Sequence, residues 1–156
     1  MINMKLNNLI LIAHRGNTAG PNEDLENSPP YLEKALSKGF HVEVDVWIKE
    51  GHFFLGHDRP RYPIDSDFLT RPKVWCHAKN LTALSSLLDL GAHCFWHQSD
   101  DGTLTSRGYI WTYPGKKLTD KSICVLPERI SPLGEHPGAC MGICSDWIKD
   151  YRENKI

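Results

Sequence analysis

The sequence predicts an α/β fold, a reduced TIM-like (β/α) barrel forming one domain over residues 1–156. Three observations predict it. In the first half, strand-sized apolar runs alternate with amphipathic helical segments, the signature of β-α-β units and a parallel sheet. In the second half, strand-like runs continue, but their links are short, polar or rich in Pro and Gly, so helices are missing there. The chain has 156 residues, whereas a full barrel uses about 250 and rarely fewer than about 200.

The elements follow in order. Residues 9–13 form a continuous apolar run and read as a buried strand. Asn27 and Ser28 are candidate caps for a helix that Pro29 and Pro30 open. Tyr31, Leu32, Ala35 and Leu36 recur at helical spacing, and Gly39 ends the helix. Residues 40–48 form a second strand, and residues 53–55 a short one after a Glu50-Gly51 turn. Residues 73–78 form the third main strand. Asn80 caps a second helix with Leu81, Leu84, Leu87 and Leu88 as its apolar face, closed by Gly91. Residues 93–96, 109–112, 122–126 and 140–144 read as strands, and only the tail, 146–153, reads as another helix.

Composition excludes several classes. Lys and Arg total 18 and Asp and Glu total 19, a formal net charge of -1. This is no supercharged nucleic-acid binder, and 40% hydrophobic residues are too many for a disordered tail. No apolar run approaches the about 20 residues of a membrane span, and no signal-peptide pattern opens the chain. The five cysteines, an odd number scattered among apolar residues, read as free thiols in a reducing compartment, which suits a cytoplasmic location. Cys140 and Cys144 form a CxxxC without a second ligand pair, read as strand packing with zinc as the alternative.

Several residues carry chemistry. His14-Arg15-Gly16 follows the first strand, at the end of a parallel sheet where sites are built. A His and an Arg there can reach an anion. In His41-Val42-Glu43-Val44-Asp45-Val46-Trp47, alternation puts the three valines on one face. Glu43 and Asp45 share the other, about 7 Å apart. Buried like charges are costly unless paired or bound to a cation. Oxygen donors favour a hard ion, Mg²⁺ or Ca²⁺. The alternative is the solvent face of an antiparallel sheet. Gly56-His57-Asp58 brings a second His near the same rim, with Asp58 placed to orient the ring, or is a surface turn. Glu26-Asn27 precedes the first helix as an acidic cap. Trp75, His77 and Lys79 share a face of the third strand, where Lys79 either binds phosphate or snorkels.

Taken together and in order, His14-Arg15-Gly16, Glu26-Asn27-Ser28, Glu43-Val44-Asp45-Val46 and Gly56-His57-Asp58 resemble the glycerophosphodiester phosphodiesterase family, within the phosphatidylinositol phospholipase C-like barrels. Trp111-Thr112 resembles that family's penultimate-strand motif, and Gly142-Ile143-Cys144-Ser145-Asp146 its last strand. The resemblance implies a barrel holding one divalent cation, Mg²⁺ or Ca²⁺. It implies His14 and His57 as the acid–base pair and Arg15 as the phosphate-holding residue, with Lys79 and Trp111 at the substrate. Glu43 and Asp45 become metal ligands, Glu26 and Asn27 support the site, and Glu26 and His77 count as further candidate ligands. His77 stands where the family usually has a metal-binding Glu. The implied activity is metal-dependent hydrolysis of a glycerophosphodiester-like small molecule. One His deprotonates the attacking hydroxyl or water and the other protonates the leaving alkoxide.

Two rival readings come from the missing helices and from His77. One is a non-catalytic barrel that binds a phosphorylated ligand or a protein partner. The other is a related phosphodiesterase or lyase acting on a phospholipid or a glycerol-phosphate glycan. A last expectation concerns assembly. Ile110, Cys124, Val125, Leu126, Ile143 and Trp147 make the helix-poor half apolar, which predicts a homodimer burying more than about 1,200 Å² over those strands.

Overall fold

The computed structural model describes residues 8–153. Its strands are β1 (Ile10–His14), β2 (His41–Lys49), β3 (His52–Leu55), β4 (Tyr62–Pro63), β5 (Val74–Ala78), β6 (Cys94–Trp96), β7 (Gly102–Leu104), β8 (Ile110–Thr112), β9 (Ser122–Val125) and β10 (Gly142–Ser145). Its helices are α1 (Pro29–Ser37), α2 (Ser66–Leu69), α3 (Leu81–Asp89) and α4 (Ile148–Glu153). The fold is mixed α/β, with all ten strands in one sheet. None of the described helices is long and apolar enough to cross a membrane.

The order β6-β5-β2-β1-β10-β9-β8 is parallel throughout. The first strand thus lies between the second and the last, and the sheet curls to bring its ends toward each other. β7 pairs antiparallel with β8. Just beyond β7, Ser106 N donates to Cys94 O at 2.8 Å, and Cys94 N donates to Ser106 Oγ at 2.9 Å, tying this edge to β6.

The two faces of the sheet have different contents. Val42, Val44 and Val46 face outward, where Leu32 and Ala35 of α1 and Ala83 and Leu87 of α3 cover them. The inner face holds Ile12, Trp75, Phe95, Trp111, Ile123 and Cys144. The alternation read along β2 is therefore the division between a helix-covered wall and a packed interior.

Three local expectations are corrected. Asn27 does not cap α1, because its amide is engaged by Asp45. Ser28 occupies the cap position, but its hydroxyl donates to Leu25 O. The buried face of α3 is Ala83 and Leu87, while Leu81 and Leu88 are exposed. The CxxxC residues lie in different layers, Cys144 inside the sheet and Cys140 against the outer cluster, so they do not share an ion. All five cysteines are free, and burial raises their thiols' pKa.

The helix-poor half is covered by its own chain. Ile123, Cys124, Val125, Leu126 and Ile143 are all buried, and Ile148 and Tyr151 of the short α4 join Ile143 in the outer cluster. The loop over residues 126–141 has one 3₁₀ turn, Pro127–Arg129, and no α-helix. Of the six residues behind the homodimer expectation, Cys124, Val125, Leu126 and Ile143 are thus buried within one chain, Ile110 is partly buried and Trp147 is exposed. Apolar exposure is left on scattered positions such as Leu104, Ile130 and Leu133.

Beneath the site, the interior holds two neutral histidines. Trp75 Nε1 donates to His41 Nδ1 at 3.0 Å, which requires a lone pair on that nitrogen. His93 bonds Thr105 Oγ1 at 2.8 Å and packs on Trp75 with ring centroids 4.0 Å apart. Burial, then the charge of Lys73 for His41 and of Arg107 for His93, lowers each to about 4. A histidine pKa depressed on folding gives stability that is full above its unfolded value and drains away as pH falls toward the folded value. Stability should therefore decline between about pH 6.5 and 4, with buried His93 contributing on the order of 2–3 kcal/mol. Urea unfolding at pH 7 and 4.5 checks this, with His93→Gln expected to flatten the decline. Equal slopes in both proteins would refute it.

Candidate active site

Parallel strands end together, and here their inward residues rise in rows. The register pairs His14 with Glu43, Asp45 with His77, and His77 with Phe95. Ala13 pairs with Ser145, so Asp146 follows β10 just where His14 ends β1. His57 arrives by another route. β3 runs antiparallel to β2 from Val46 onward, beyond the end of β1. It therefore returns the chain to the mouth of the sheet, where Gly56 N donates to Asp45 O at 3.1 Å.

The centre is a buried set of carboxylates braced by cations and amides. Glu43 is 2% exposed and Asp45 1%. Asn27, held at φ 64°, donates to Asp45 Oδ2 at 2.9 Å and accepts Asp45 N–H at 2.9 Å. Arg15 Nε lies 3.5 Å from Asp45 Oδ2 and Lys79 Nζ 4.0 Å from Asp45 Oδ1. His77 Nδ1 lies 3.3 Å from Asp45 Oδ1. Burial alone would raise the pKa of Asp45, but His77, Arg15 and Lys79 together hold it well below the ordinary carboxylate range. Glu43 goes the other way. Burial and the charge of Asp45 push it up, against the pull of His14, His77 and Arg15.

His14 is oriented by its surroundings. Its Nδ1 is 2.7 Å from Asp146 Oδ1, and its Nε2 is 3.6 Å from Glu43 Oε2. Burial works to lower its pKa, but the hydrogen bond to Asp146 and the charges of Glu43 and Asp146 outweigh burial and Arg15, so the net shift is upward. Asn17 Nδ2 donates to both Asp146 Oδ1 and Glu26 Oε1 at 2.9 Å, and Glu128 Oε1 accepts Asp146 N–H at 3.1 Å. The carboxylate behind His14 is thus itself fixed.

Beside this lies an open cleft of about 720 Å³, to which Arg15, Glu26, Asn27, His57, Arg59 and Arg61 contribute lining and which His14, Glu43 and Asp45 do not line. His57 is half-exposed, with Nδ1 2.7 Å from Asp58 Oδ1. Gly56 shapes its loop. The backbone there has φ 154°, and a Cβ would fall inside the Arg59 carbonyl oxygen. Gly56→Ala should therefore displace His57 and lower any His57-dependent turnover by about tenfold or more, while costing about 1–3 kcal/mol. Unfolding curves and kinetics on the same preparation check this, and unchanged kinetics would refute it.

The structure brings together most of the residues singled out from the sequence. His14, Arg15, Glu43, Asp45, His77 and Lys79 meet directly, and His57 lines the same cleft as Arg15. Glu43, Asp45 and His77 present ligand atoms within 4.8 Å of one another. Glu26 is not in that group, because its carboxylate is engaged by Arg15 at 3.1 Å and by Asn17. Its place is behind the arginine. Trp111 does not line a binding surface. It is 3% exposed and stacks on Phe95 at 4.5 Å inside the sheet. Its inward direction on β8 made it core.

Sequence reasoning named Asp146 only as the end of the last-strand motif, without a role, and passed over Asn17 and Glu128. The signal for Asp146 was its position just after the last strand. In a sheet whose last strand pairs with its first, that position neighbours the His ending β1. Asn17 and Glu128 have no motif to mark them. In comparisons with known protein families, curated proteins and solved structures, the chain matches none.

Proposed function

We propose that the protein is a metal-dependent phosphodiesterase of the glycerophosphodiester phosphodiesterase type, on a reduced (β/α) barrel, acting on a small glycerophosphodiester-like substrate. The observation that carries this reading is the cluster of His14, Arg15, Glu43 and Asp45, with Arg15 and His57 lining one cleft.

Each part has a chemical role. Arg15, its guanidinium braced by Glu26 and facing the cleft, binds the anionic phosphoryl oxygens. His14, anchored through Nδ1, directs Nε2 toward Glu43, and His57 stands in the lining of the cleft that Arg15 enters. One takes the proton of the attacking hydroxyl or water, and the other returns a proton to the leaving oxygen. Lys79, beside Asp45, adds positive charge at the floor. The residues also fit a cation, because Glu43 Oε1 is buried without a hydrogen-bond partner and points to a missing positive ligand. Glu43, Asp45 and His77 would hold it, and when bound it would neutralise charge on the phosphoryl group.

A panel of phosphodiesters, assayed with and without EDTA, tests the reading. Turnover that is lost on chelation and restored by a dication is the expected result. No turnover on any diester with any dication would overturn it in favour of a barrel that only binds a phosphorylated ligand.

A further inference from the structure

We propose that Glu43, Asp45 and His77 select a nitrogen-preferring dication of the Zn²⁺ or Fe²⁺ class over Mg²⁺ and Ca²⁺. This rests on the metal-dependent reading above and names its metal.

The argument begins with a hydrogen count on His77. Its Nε2 is 3.0 Å from the His97 carbonyl oxygen. A carbonyl only accepts, so Nε2 carries the hydrogen. In a neutral ring, Nδ1 then presents a lone pair, and what it faces at 3.3 Å is Asp45 Oδ1, another acceptor. Two acceptors so placed need a cation between them, either a proton or a metal ion. A proton on Nδ1 would satisfy this pair but leave Glu43 Oε1 orphaned in the interior. A metal ion satisfies all three groups, whose ligand atoms already lie within 4.8 Å of one another.

The ring is also held as a ligand should be. An N–H···O=C bond on the far nitrogen fixes the tautomer and orientation of a metal-binding imidazole. Stacking on Phe95, with centroids 5.1 Å apart and planes at 17°, restrains its rotation.

The donor set then decides which ion. Mg²⁺ and Ca²⁺ bind through oxygen and gain affinity from the number of charged ligands. Here one donor is nitrogen, and the two carboxylates already have Arg15 and Lys79 beside Asp45. The net charge offered to a hard ion is therefore small. Imidazole nitrogen suits zinc and iron, whereas carboxylate and water suit magnesium and calcium.

Calorimetry on metal-stripped protein, without substrate, provides the test. Zn²⁺ and Co²⁺, the latter as an Fe²⁺ surrogate, should bind at least about tenfold tighter than Mg²⁺ and Ca²⁺. Glu43→Gln should lose that binding, separating it from adventitious binding by other His and Cys. His77→Glu should narrow the gap by weakening Zn²⁺ and strengthening Mg²⁺. Wild-type protein that binds Mg²⁺ or Ca²⁺ as tightly as Co²⁺ would overturn the inference without any variant. So would Zn²⁺ binding that survives Glu43→Gln, an undiminished gap between Zn²⁺ and Mg²⁺ in His77→Glu, or no binding of any ion. Diester turnover supported best by Mg²⁺ would overturn the metal assignment and leave the phosphodiesterase reading intact.

Discussion

Glu43→Gln is expected to abolish metal-dependent turnover while leaving the metal-free protein at least as stable as wild type. The two halves of this result have one cause. Glu43 is buried, with Asp45 on the same face of β2, and burial and that neighbouring charge raise its pKa. A carboxyl whose pKa rises on folding adds stability while protonated and loses it as pH climbs through the folded value, so at neutral pH the ionised group opposes folding. A neutral amide of the same shape removes that cost. Its oxygen can still accept from Arg15 N, which lies 3.3 Å from Glu43 Oε2. What it cannot do is supply an anionic ligand. Thermal unfolding should show an undiminished Tm without metal and no upward shift on adding metal, whereas wild type should gain stability from the bound ion. A variant that unfolds more easily but keeps metal-dependent turnover would show that Glu43 is structural.

The second large effect divides the two histidines by how each is held. His14→Ala and His57→Ala should each lower turnover by at least about 100-fold. Their partners should differ. Asp146 is fixed by Asn17 and by Glu128 and accepts from a buried ring. Asp58 is almost fully exposed and pairs with a half-exposed ring. A hydrogen bond between solvent-exposed groups gives little orientation, because water competes for both partners. Asp146→Asn should therefore cost far more than Asp58→Asn. It should also move the pH limb belonging to His14 toward acid, since the Asp146 bond and charge are what raise that group. Kinetics across pH 5–9 check both points. Equal losses from the two substitutions, or an unmoved limb in Asp146→Asn, would show that the Asp146–His14 bond does not tune catalysis.

Local pattern was enough to determine much of this molecule. Period-two alternation along residues 41–47 put Glu43 and Asp45 opposite the valines, because consecutive side chains in any strand point to opposite faces. Asn80 was legible as the cap of α3, and it accepts from Ala83 N. The meeting of His14, Arg15, Glu43 and Asp45 was legible because parallel strands deliver their C-terminal ends to one rim, to which the antiparallel β3 returns His57. The tertiary structure decided the rest. Asn27 left its expected cap for Asp45, since a buried carboxylate gains more from an amide than an exposed helix end does. Trp111 became core because strand direction on the closing half of the sheet depends on pairings across distant segments. Asp146 reached His14 from 132 positions away. No local spacing encodes such a contact, because it arises from the pairing of the last strand with the first. The covering of the helix-poor half by α4 and irregular loops was likewise decided by packing, which acts on apolar area and is indifferent to whether a helix or a loop supplies it.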